Sequence, residues 1–381
     1  MTVEPSSPAS AGPLTGPLAA ARRVVVKVGS SSLTSEQGGI SERALGDIVD
    51  ALAALRLRGA EVVFVSSGAI AAGLAPLGFA RRPSDLASQQ AAATVGQGLL
   101  MHRYAERFAR HGLVVGQVLL TSEDLVRRSH HINASRALER LLGLGAVPVI
   151  NENDAVATQE IRVGDNDRLA ALVAHLVKAD ALLLLSDVDA VLTRHPDDGG
   201  VRIPVVARES DLDAVEASRP GTGIGTGGMA TKIRAASLAA DSGITALVTS
   251  ARRLSDVVRG EDVGTLFPAR GPRQPARRLW LAHLADARGS MRVDDGAARA
   301  LRTRRGSLLA AGIISVEGDF TAGDAVEILD REGALVARGM SAYDAADVPR
   351  MMGRSTADMA AELGEGYDRP VVHADAMAVV A

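Results

Sequence analysis

Residues 23–32 read Arg-Val-Val-Val-Lys-Val-Gly-Ser-Ser-Ser, an apolar run that passes into a turn of small residues. Between residues 42 and 58 apolar side chains recur at helical spacing, and Gly59 ends the predicted helix. A second apolar run follows at residues 62–65. The segment therefore predicts a strand, a helix and a second, parallel strand, which is the repeating unit of an α/β fold.

The same alternation of short apolar runs and longer amphipathic segments continues along the chain. Aromatic residues make up only 2% of the sequence against 47% hydrophobic residues, so the core must be aliphatic, as in helices packed on a mostly parallel sheet. Ligands of such sheets bind at the carboxyl ends of the strands. Further strands are predicted at residues 114–119, 147–150, 182–185 and 245–249, and further helices at 169–178 and 233–240.

Composition and charge limit the function classes. A formal net charge of -3 argues against a dedicated nucleic-acid-binding protein, which would be basic. The absence of cysteine excludes disulfides, thiolate metal sites and a thiol nucleophile, and we expect a cytoplasmic protein. No apolar run reaches the roughly 18 residues of a membrane-spanning helix.

The length and composition predict more than one domain. A chain of 381 residues exceeds the size at which one core usually keeps growing. We expect a disordered leader at residues 1–20, a larger domain at 21–267, a proline- and arginine-rich linker at 268–279 and a small domain at 280–370. In the last part, short strand-like runs separated by Gly-Asp pairs predict a mainly β module.

Two loops that leave predicted strands suit an anion. Lys27 precedes Gly29 and three serines, whose backbone amides can approach a phosphate. Ser66, Ser67 and Gly68 lead into a predicted helix, whose free amides and dipole favour negative charge. The alternative interpretations are a strand-end lysine above a polar turn and a serine helix cap.

A third loop concentrates polar residues beside apolar strands. Residues 151–154 read Asn-Glu-Asn-Asp directly after a predicted strand, and residues 165–167 read Asp-Asn-Asp before a predicted helix. The position after a buried strand predicts a ligand site at this edge of the sheet. The alternative is a solvated turn in which Asp165 or Asn166 caps the helix.

A fourth loop, residues 221–232, is rich in glycine and ends in Lys232. It contains Gly-x-Gly-x-x-Gly, but no predicted strand precedes it and no acidic residue follows at the distance of a ribose contact, so the pattern argues against a dinucleotide fingerprint. Lys232 lies four residues beyond the last glycine, which is not the spacing of a Walker A loop. The segment predicts a flexible lid that delivers Lys232 at a helix start, with a plain linker as the alternative.

Two lysines, two anion-binding loops and a carboxylate cluster at one sheet edge predict phosphoryl transfer, which depends on positioning and charge neutralisation. If the acceptor is itself a carboxylate, it is ionised at neutral pH and needs no general base. The residues therefore predict phosphoryl transfer, and with a carboxylate acceptor the lysines and a metal ion would carry the chemistry.

Five motifs follow one another along the chain: Val-Lys-Val-Gly-Ser from Val26, Ser-Ser-Gly-Ala-Ile-Ala-Ala-Gly from Ser66, Pro-Val-Ile-Asn-Glu-Asn-Asp-Ala-Val-Ala-Thr from Pro148, Val-Gly-Asp-Asn-Asp from Val163, and Gly-Thr-Gly-Gly-Met-Ala-Thr-Lys from Gly225. Together they resemble the motifs of the amino-acid kinase family, and within it those of the glutamate 5-kinases. The stretch from Trp280 to about Tyr367 is similar to a PUA domain. The resemblance implies an α/β fold of three αβα layers with a mostly parallel central sheet, plus a small mainly β PUA-like domain.

The resemblance also implies roles for individual residues. Lys27 and Lys232 would neutralise the transferred phosphoryl group, and Asp167 would hold their ammonium groups in place. Glutamate would be bound by Ser67, Gly68, Asp154 and Asn166. ATP would be bound by Lys27, Ser186, Asp187, Thr226, Gly227, Gly228, Met229, Ala230, Thr231 and Lys232. Mg²⁺ would bridge the phosphates with few direct protein ligands, so no metal-ligating residue is predicted.

The implied reaction is the ATP-dependent phosphorylation of the γ-carboxylate of L-glutamate to L-glutamyl 5-phosphate, the first step of proline biosynthesis. The implied partners are proline as feedback inhibitor and further copies of the chain in a homo-oligomer, without membrane attachment. One alternative is a related carboxylate substrate such as acetylglutamate. The other is an RNA-binding protein with a regulatory kinase-like domain, which four arginines within residues 299–305 favour and the acidic net charge opposes.

Overall fold

The computed structural model of the chain describes residues 18, 20–34, 39–121, 124–125, 128–156, 165–194, 198–213, 215, 228–271, 287–303, 306–355, 358–359, 362, 364 and 367–379. The chain divides into two compact units, Met1–Arg273 and Gln274–Ala381. Nearly all of the expected leader and most of the expected linker lie outside the described residues, so the predicted domain boundaries stay predictions.

The first unit contains a seven-stranded sheet. Its strands are β1 Arg23–Val28, β2 Glu61–Val65, β3 Val115–Leu120, β4 Val147–Glu152, β5 Ala181–Ser186, β6 Thr245–Ser250 and β7 Thr265–Phe267. Its helices among the described residues are α1 Glu42–Leu57, α2 Ala69–Leu74, α3 Leu86–Ala109, α4 Arg128–Gly143, α5 Asp165–Leu176, α6 Gly228–Asp241 and α7 Leu254–Arg259. The six predicted strands of this unit correspond to β1–β6.

The strand order is β3-β4-β2-β1-β5-β6-β7. Every neighbouring pair is parallel except β6 and β7, which are antiparallel. The mostly parallel sheet is therefore confirmed, whereas β7 was not predicted, because its three residues are too few to show an alternating pattern. The parallel arrangement places the ends of β1, β2, β4, β5 and β6 at one edge of the sheet.

Helices cover both faces of the sheet. Val24 and Val26 of β1 belong to the same apolar cluster as Ile48 of α1, whereas Lys27 pairs with Asp167 of α5. Successive residues of a strand point to opposite faces, so α1 and α5 lie on opposite sides of β1. The predicted αβα arrangement of three layers is thus confirmed.

Two helices begin earlier than their apolar pattern suggests. Helix α5 begins at Asp165 rather than at residue 169, and α6 begins at Gly228 rather than at residue 233. The first turn of α5 is polar and that of α6 has Met229 as its single large apolar residue, so periodicity alone reveals neither turn. Lys232 therefore lies inside α6, about one turn from its start, and the expectation that it marks the helix start is wrong.

The second unit is mainly β and has its own apolar core. Its five strands are β8 Gly289–Val293, β9 Ile313–Gly318, β10 Ala325–Leu329, β11 Leu335–Met340 and β12 Met377–Val379, in the order β12-β11-β10-β8-β9. Two of its helices are α8 Asp295–Arg302 and α9 Val348–Met351. The predicted small β module is confirmed. No helix within the described parts of the chain is long and apolar enough to cross a membrane.

Candidate active site

Three charged side chains from different elements meet at the carboxyl edge of the first sheet. The Nζ atom of Lys27, near the end of β1, lies 2.7 Å from Oδ1 of Asp167 on α5. The Nζ atom of Lys232 on α6 lies 3.3 Å from Oδ2 of the same carboxylate. The exposed fractions of the three side chains are 4%, 1% and 8%, in the order Lys27, Asp167 and Lys232. With both lysines protonated, this buried cluster carries one net positive charge.

Burial and charge act in opposite directions on these groups. For Lys27, desolvation by burial is the largest effect, and together with the repulsion of Lys232 it lowers the pKa below the ordinary lysine value despite the attraction of Asp167. For Asp167, desolvation alone would raise the pKa, but attraction by Lys27 and Lys232 outweighs it and lowers the pKa. Asp167 is therefore an ionised carboxylate at neutral pH.

The first turn of α6 is fixed onto this carboxylate. The hydroxyl of Thr231 lies 2.8 Å from Oδ2 of Asp167 and 3.0 Å from the carbonyl oxygen of Gly228, so its single proton is shared between these two acceptors. The Lys232 ammonium also donates to the Gly228 carbonyl, over 3.2 Å. Gly228, Met229, Ala230, Thr231 and Lys232 of the predicted nucleotide segment thus lie at the site, whereas Thr226 and Gly227 lie outside the described residues.

The loops after β1 and β2 lie side by side. Gly68 precedes α2 with a φ of 90°, and a Cβ atom placed on it would lie 3.8 Å from Cα of Ser30 in the turn after β1. A positive φ favours glycine, which has no Cβ to clash with its own backbone. Ser67 is buried, and the neighbouring Ser66 hydroxyl lies 2.8 Å from the hydroxyl of Tyr104 on α3. These contacts hold the loop from inside the protein.

The polar residues after β4 form a hydrogen-bonded group with the start of α5. Nδ2 of Asn166 donates to Oδ1 of Asn151 over 3.0 Å. The backbone amide of Glu152 donates to Oδ1 of both side chains, over 3.0 Å to Asn151 and 3.2 Å to Asn166. Asp154 is half-buried and begins the short 3₁₀ helix Asp154–Val156. The predicted substrate residues Asn166 and Asp154 therefore lie at the same sheet edge as Lys27.

The end of β5 continues the site on the other side of Lys27. The Ser186 hydroxyl donates to the Asp187 carboxylate over 3.0 Å, and the Ser186 carbonyl accepts from the Ser32 hydroxyl over 3.1 Å. Ser186 is buried and Asp187 is exposed. The turn after β1 is thus joined to the predicted nucleotide residues after β5.

Several site contacts involve residues that the sequence did not single out. The Asp189 carboxylate accepts from the Ser250 hydroxyl, which ties the loop after β5 to the end of β6. The amide of Gln97 and the hydroxyl of Tyr104 reach the loops from α3. The sequence shows Gln97 only as a polar residue within an apolar helical stripe. From the sequence alone, such a residue cannot be distinguished from one at the protein surface.

A magnesium ion that is bound mainly by nucleotide phosphates would need few ligands from the protein at this site. Within the described residues no group of three or more His, Asp or Glu side chains could hold a metal ion. Both oxygens of Asp167 already face ammonium groups. Mg²⁺ commonly keeps its waters and binds substrate phosphates with one or two carboxylates, so a full protein cage is not required.

Two family profiles match the chain, one in each of its two units. The profile of the Amino acid kinase family matches residues 22–250, and the profile of the PUA domain matches residues 289–363. Glutamate 5-kinases from Frankia casuarinae and Streptomyces avermitilis are each 58% identical to the chain, over 93% and 94% of it and 96% of either relative. The glutamate 5-kinase of Thermobifida fusca is 54% identical over 95% of the chain and 94% of its own length. The chain belongs to the amino acid kinase family and, within it, to the glutamate 5-kinases.

Proposed function

We propose that the chain catalyses the ATP-dependent phosphorylation of the γ-carboxylate of L-glutamate, which gives L-glutamyl 5-phosphate and ADP in the first step of proline biosynthesis. The observation that carries the proposal is the buried cluster of Lys27, Asp167 and Lys232, whose net positive charge at the sheet edge suits a transferring phosphoryl group. The glutamate 5-kinase relatives support the choice of acceptor.

The lysines stabilise the charge of the phosphoryl group while it moves. Because Asp167 contacts both ammonium groups, it holds them at fixed positions before the substrates arrive. Such preorganised charges need no reorganisation during the reaction. The acceptor carboxylate has an ordinary pKa of about 4.3 and is already ionised, so the mechanism needs no general base.

The polar loops supply complementary groups for glutamate. Asn166 uses one Nδ2 proton for Asn151, and its second Nδ2 proton can donate to a substrate carboxylate. Ser67 and the backbone at Gly68 offer further donors, and Asp154 offers the negative charge that the α-ammonium group requires. These assignments give one donor set for the carboxylates and one acceptor for the amine.

In this proposal ATP binds at the carboxyl edge of the sheet on the side of β5 and the start of α6, opposite the glutamate loops. Ser186 and Asp187 bind the nucleoside side of ATP, and residues 226–232 bind its phosphates together with Lys27. Mg²⁺, when bound with the nucleotide, would supply additional positive charge for the transfer. The chain's own contribution is to orient the phosphates toward Lys27 and Lys232.

The proposal extends to regulation and assembly. Proline carries the same α-carboxylate and ammonium charges as glutamate and would compete for the residues that bind them, so equilibrium dialysis with labelled proline should show binding that glutamate displaces. The active form is proposed to be a cytoplasmic homo-oligomer, which analytical ultracentrifugation of the purified chain tests.

The reaction is tested by ATP- and Mg²⁺-dependent hydroxamate formation, because hydroxylamine traps an acyl phosphate as a coloured product. L-glutamate, N-acetylglutamate and L-aspartate are compared at equal concentration. Signal with L-glutamate alone is expected. Signal with another acid would change the substrate but keep the kinase, and no signal with any acid would reject the kinase and favour the RNA-binding alternative.

A further inference from the structure

Gln97 is a buried amide on a helix that otherwise turns apolar residues inward. It is 8% exposed and lies in the buried stripe of α3 with Ala93, Leu100 and Tyr104. Burying an amide is unfavourable unless it is hydrogen-bonded. Its Oε1 atom accepts a hydrogen bond of 2.7 Å from Nδ2 of Asn151, so this polar group has a specific partner in the protein.

Asn151, which bonds to Gln97, also bonds to Asn166, a residue proposed to bind glutamate. Asn151 is 1% exposed, and its Oδ1 atom accepts from Nδ2 of Asn166 over 3.0 Å. The three side chains therefore form a continuous chain of hydrogen bonds from α3 through the end of β4 to the start of α5. The bond from Gln97 fixes which way the Asn151 amide faces, because it requires Nδ2 on the side of α3 and Oδ1 on the side of Asn166.

Helix α3, which carries Gln97, is packed rigidly against α2. A Cβ atom added to Gly96, next to Gln97, would lie 1.8 Å from the carbonyl oxygen of Ala69, and one added to Gly73 would lie 1.9 Å from that of Ala92. The backbones of α2 and α3 therefore touch directly at this point. This contact fixes Gln97 relative to α2, whose first residue follows Gly68.

We infer that Gln97 is a positioning residue for glutamate, which acts through Asn151 to aim the second Nδ2 proton of Asn166 at a substrate carboxylate. The inference rests on the proposed function, since it presumes that Asn166 binds glutamate. Gln97 itself does not need to touch the substrate. Its loss leaves the buried Nδ2 group of Asn151 without this acceptor and frees the Asn166 amide to rotate.

The test compares kcat/KM for L-glutamate at saturating ATP and Mg²⁺, which needs no saturation with glutamate. The full-length variants are Gln97→Met, Asn166→Ala and the double variant. Gln89→Met is the matched control, because Gln89 lies on the same helix but bonds to Arg82 and the Pro83 carbonyl instead. The KM for ATP is measured in parallel at the highest attainable glutamate concentration.

Gln97→Met is expected to lower kcat/KM for glutamate about tenfold, the effect of one unsatisfied buried hydrogen-bonding group. The KM for ATP and the Gln89→Met control should stay within about twofold of wild type. In the Asn166→Ala background, Gln97→Met should have almost no further effect, since both changes remove the same interaction.

Three results would overturn the inference. These are an unchanged kcat/KM in Gln97→Met, an equal loss of ATP and glutamate use, and the same tenfold factor in the Asn166→Ala background. If Gln97→Met does not fold, the isosteric Gln97→Glu keeps an oxygen acceptor for Asn151 and is paired with Gln97→Ala; equal losses in both would also overturn it. A wild-type protein without glutamate-dependent turnover would instead reject the proposed function.

Discussion

Asp167 is the residue at which the two site lysines meet, and it is 1% exposed. Removing one partner from a buried ion pair leaves the other charge without compensation, which costs far more than losing a surface pair. Asp167 therefore has two effects that can be separated by experiment: it offsets the cost of burying two ammonium groups, and it sets their positions.

Asp167→Asn keeps the shape of the side chain and removes its charge. We expect the free energy of unfolding to fall by about 3 kcal/mol, as for other broken buried pairs. We expect kcat to fall by at least about a hundredfold, because the lysines lose their fixed positions. Chemical denaturation and steady-state kinetics measure the two effects.

Asp50→Asn is the control, since the Asp50 side chain is 47% exposed and pairs with Arg107 and His111 away from the site. It should change kcat little. A fully active Asp167→Asn protein would contradict the proposed role of the carboxylate.

The lowered pKa of Lys27 predicts how activity depends on pH. The ordinary pKa of lysine is 10.5, and burial lowers that of Lys27 in the folded protein. The proposed mechanism needs its protonated form, so kcat/KM for ATP should decline at a pH below 10.5. Lys27→Arg should move this decline to higher pH, if the variant retains turnover, because a guanidinium stays charged.

The lowered pKa of Lys27 affects stability in the opposite direction to activity, because raising the pH removes activity but increases stability. A lysine with a lowered folded pKa binds its proton more weakly in the folded than in the unfolded state. The destabilisation caused by burying the Lys27 ammonium is fully present below the pKa of Lys27 in the folded protein. It is relieved as the pH rises through that pKa toward 10.5, the ordinary value. Circular dichroism should therefore show intact structure where activity is first lost, and unfolding that coincides with the loss of activity would contradict the assignment.

At the scale of elements, the direct contact of α2 and α3 organises the glutamate side of the site. Gly73 and Gly96 meet where any larger residue would displace backbone atoms. This contact cannot be predicted from the sequence, because a glycine inside a helix reduces helix propensity without revealing its neighbour. Only the packed structure shows why small residues are needed there.

Gly96→Ala is predicted to destabilise the first unit by about 1–3 kcal/mol or more, since its Cβ would meet the Ala69 carbonyl and the backbones would have to separate. Gly98→Ala on the same helix is the control, because a Cβ atom there meets nothing within 4 Å. The control should be stabilising by about 0.5–1 kcal/mol, the usual gain in a helix. Thermal unfolding of both variants checks the pair; equal effects would refute the proposed contact.

At the scale of the whole molecule, each unit has an apolar core of its own. All the predicted site residues, from Lys27 to Lys232, belong to the unit Met1–Arg273. A domain with its own core and boundary can in general fold alone.

A chain that ends at Arg273 is therefore expected to fold and to phosphorylate glutamate within about threefold of the full-length rate, because the folded domain carries the entire site. The matching fragment of residues 274–381 should fold without kinase activity. Hydroxamate formation and circular dichroism of both fragments test this division. An unfolded or inactive first fragment would show that the second unit is required for the site.

The sequence by itself determined the fold class, six of the seven strands of the first sheet and the β character of the second unit, and it pointed to the loops in which the candidate site residues lie. It could do so because strand and helix periodicity, turn residues and motif spacing are local properties of the chain. The helix starts at Asp165 and Gly228 and the short strand β7 were missed, because polar or very short segments carry no period.

The tertiary structure alone decided which side chains meet. Lys232 and Asp167 are 65 residues apart in the chain, and Asn151 and Gln97 are 54 apart, yet each pair is in hydrogen-bonding contact. Such contacts depend on strand order, on the face from which each helix packs and on the close approach of α2 and α3. None of these is encoded in local spacing. The resemblance to amino-acid kinases implied that Asp167 holds the two lysines, whereas the burial of this cluster and the amide chain behind Asn166 became visible only in the folded protein.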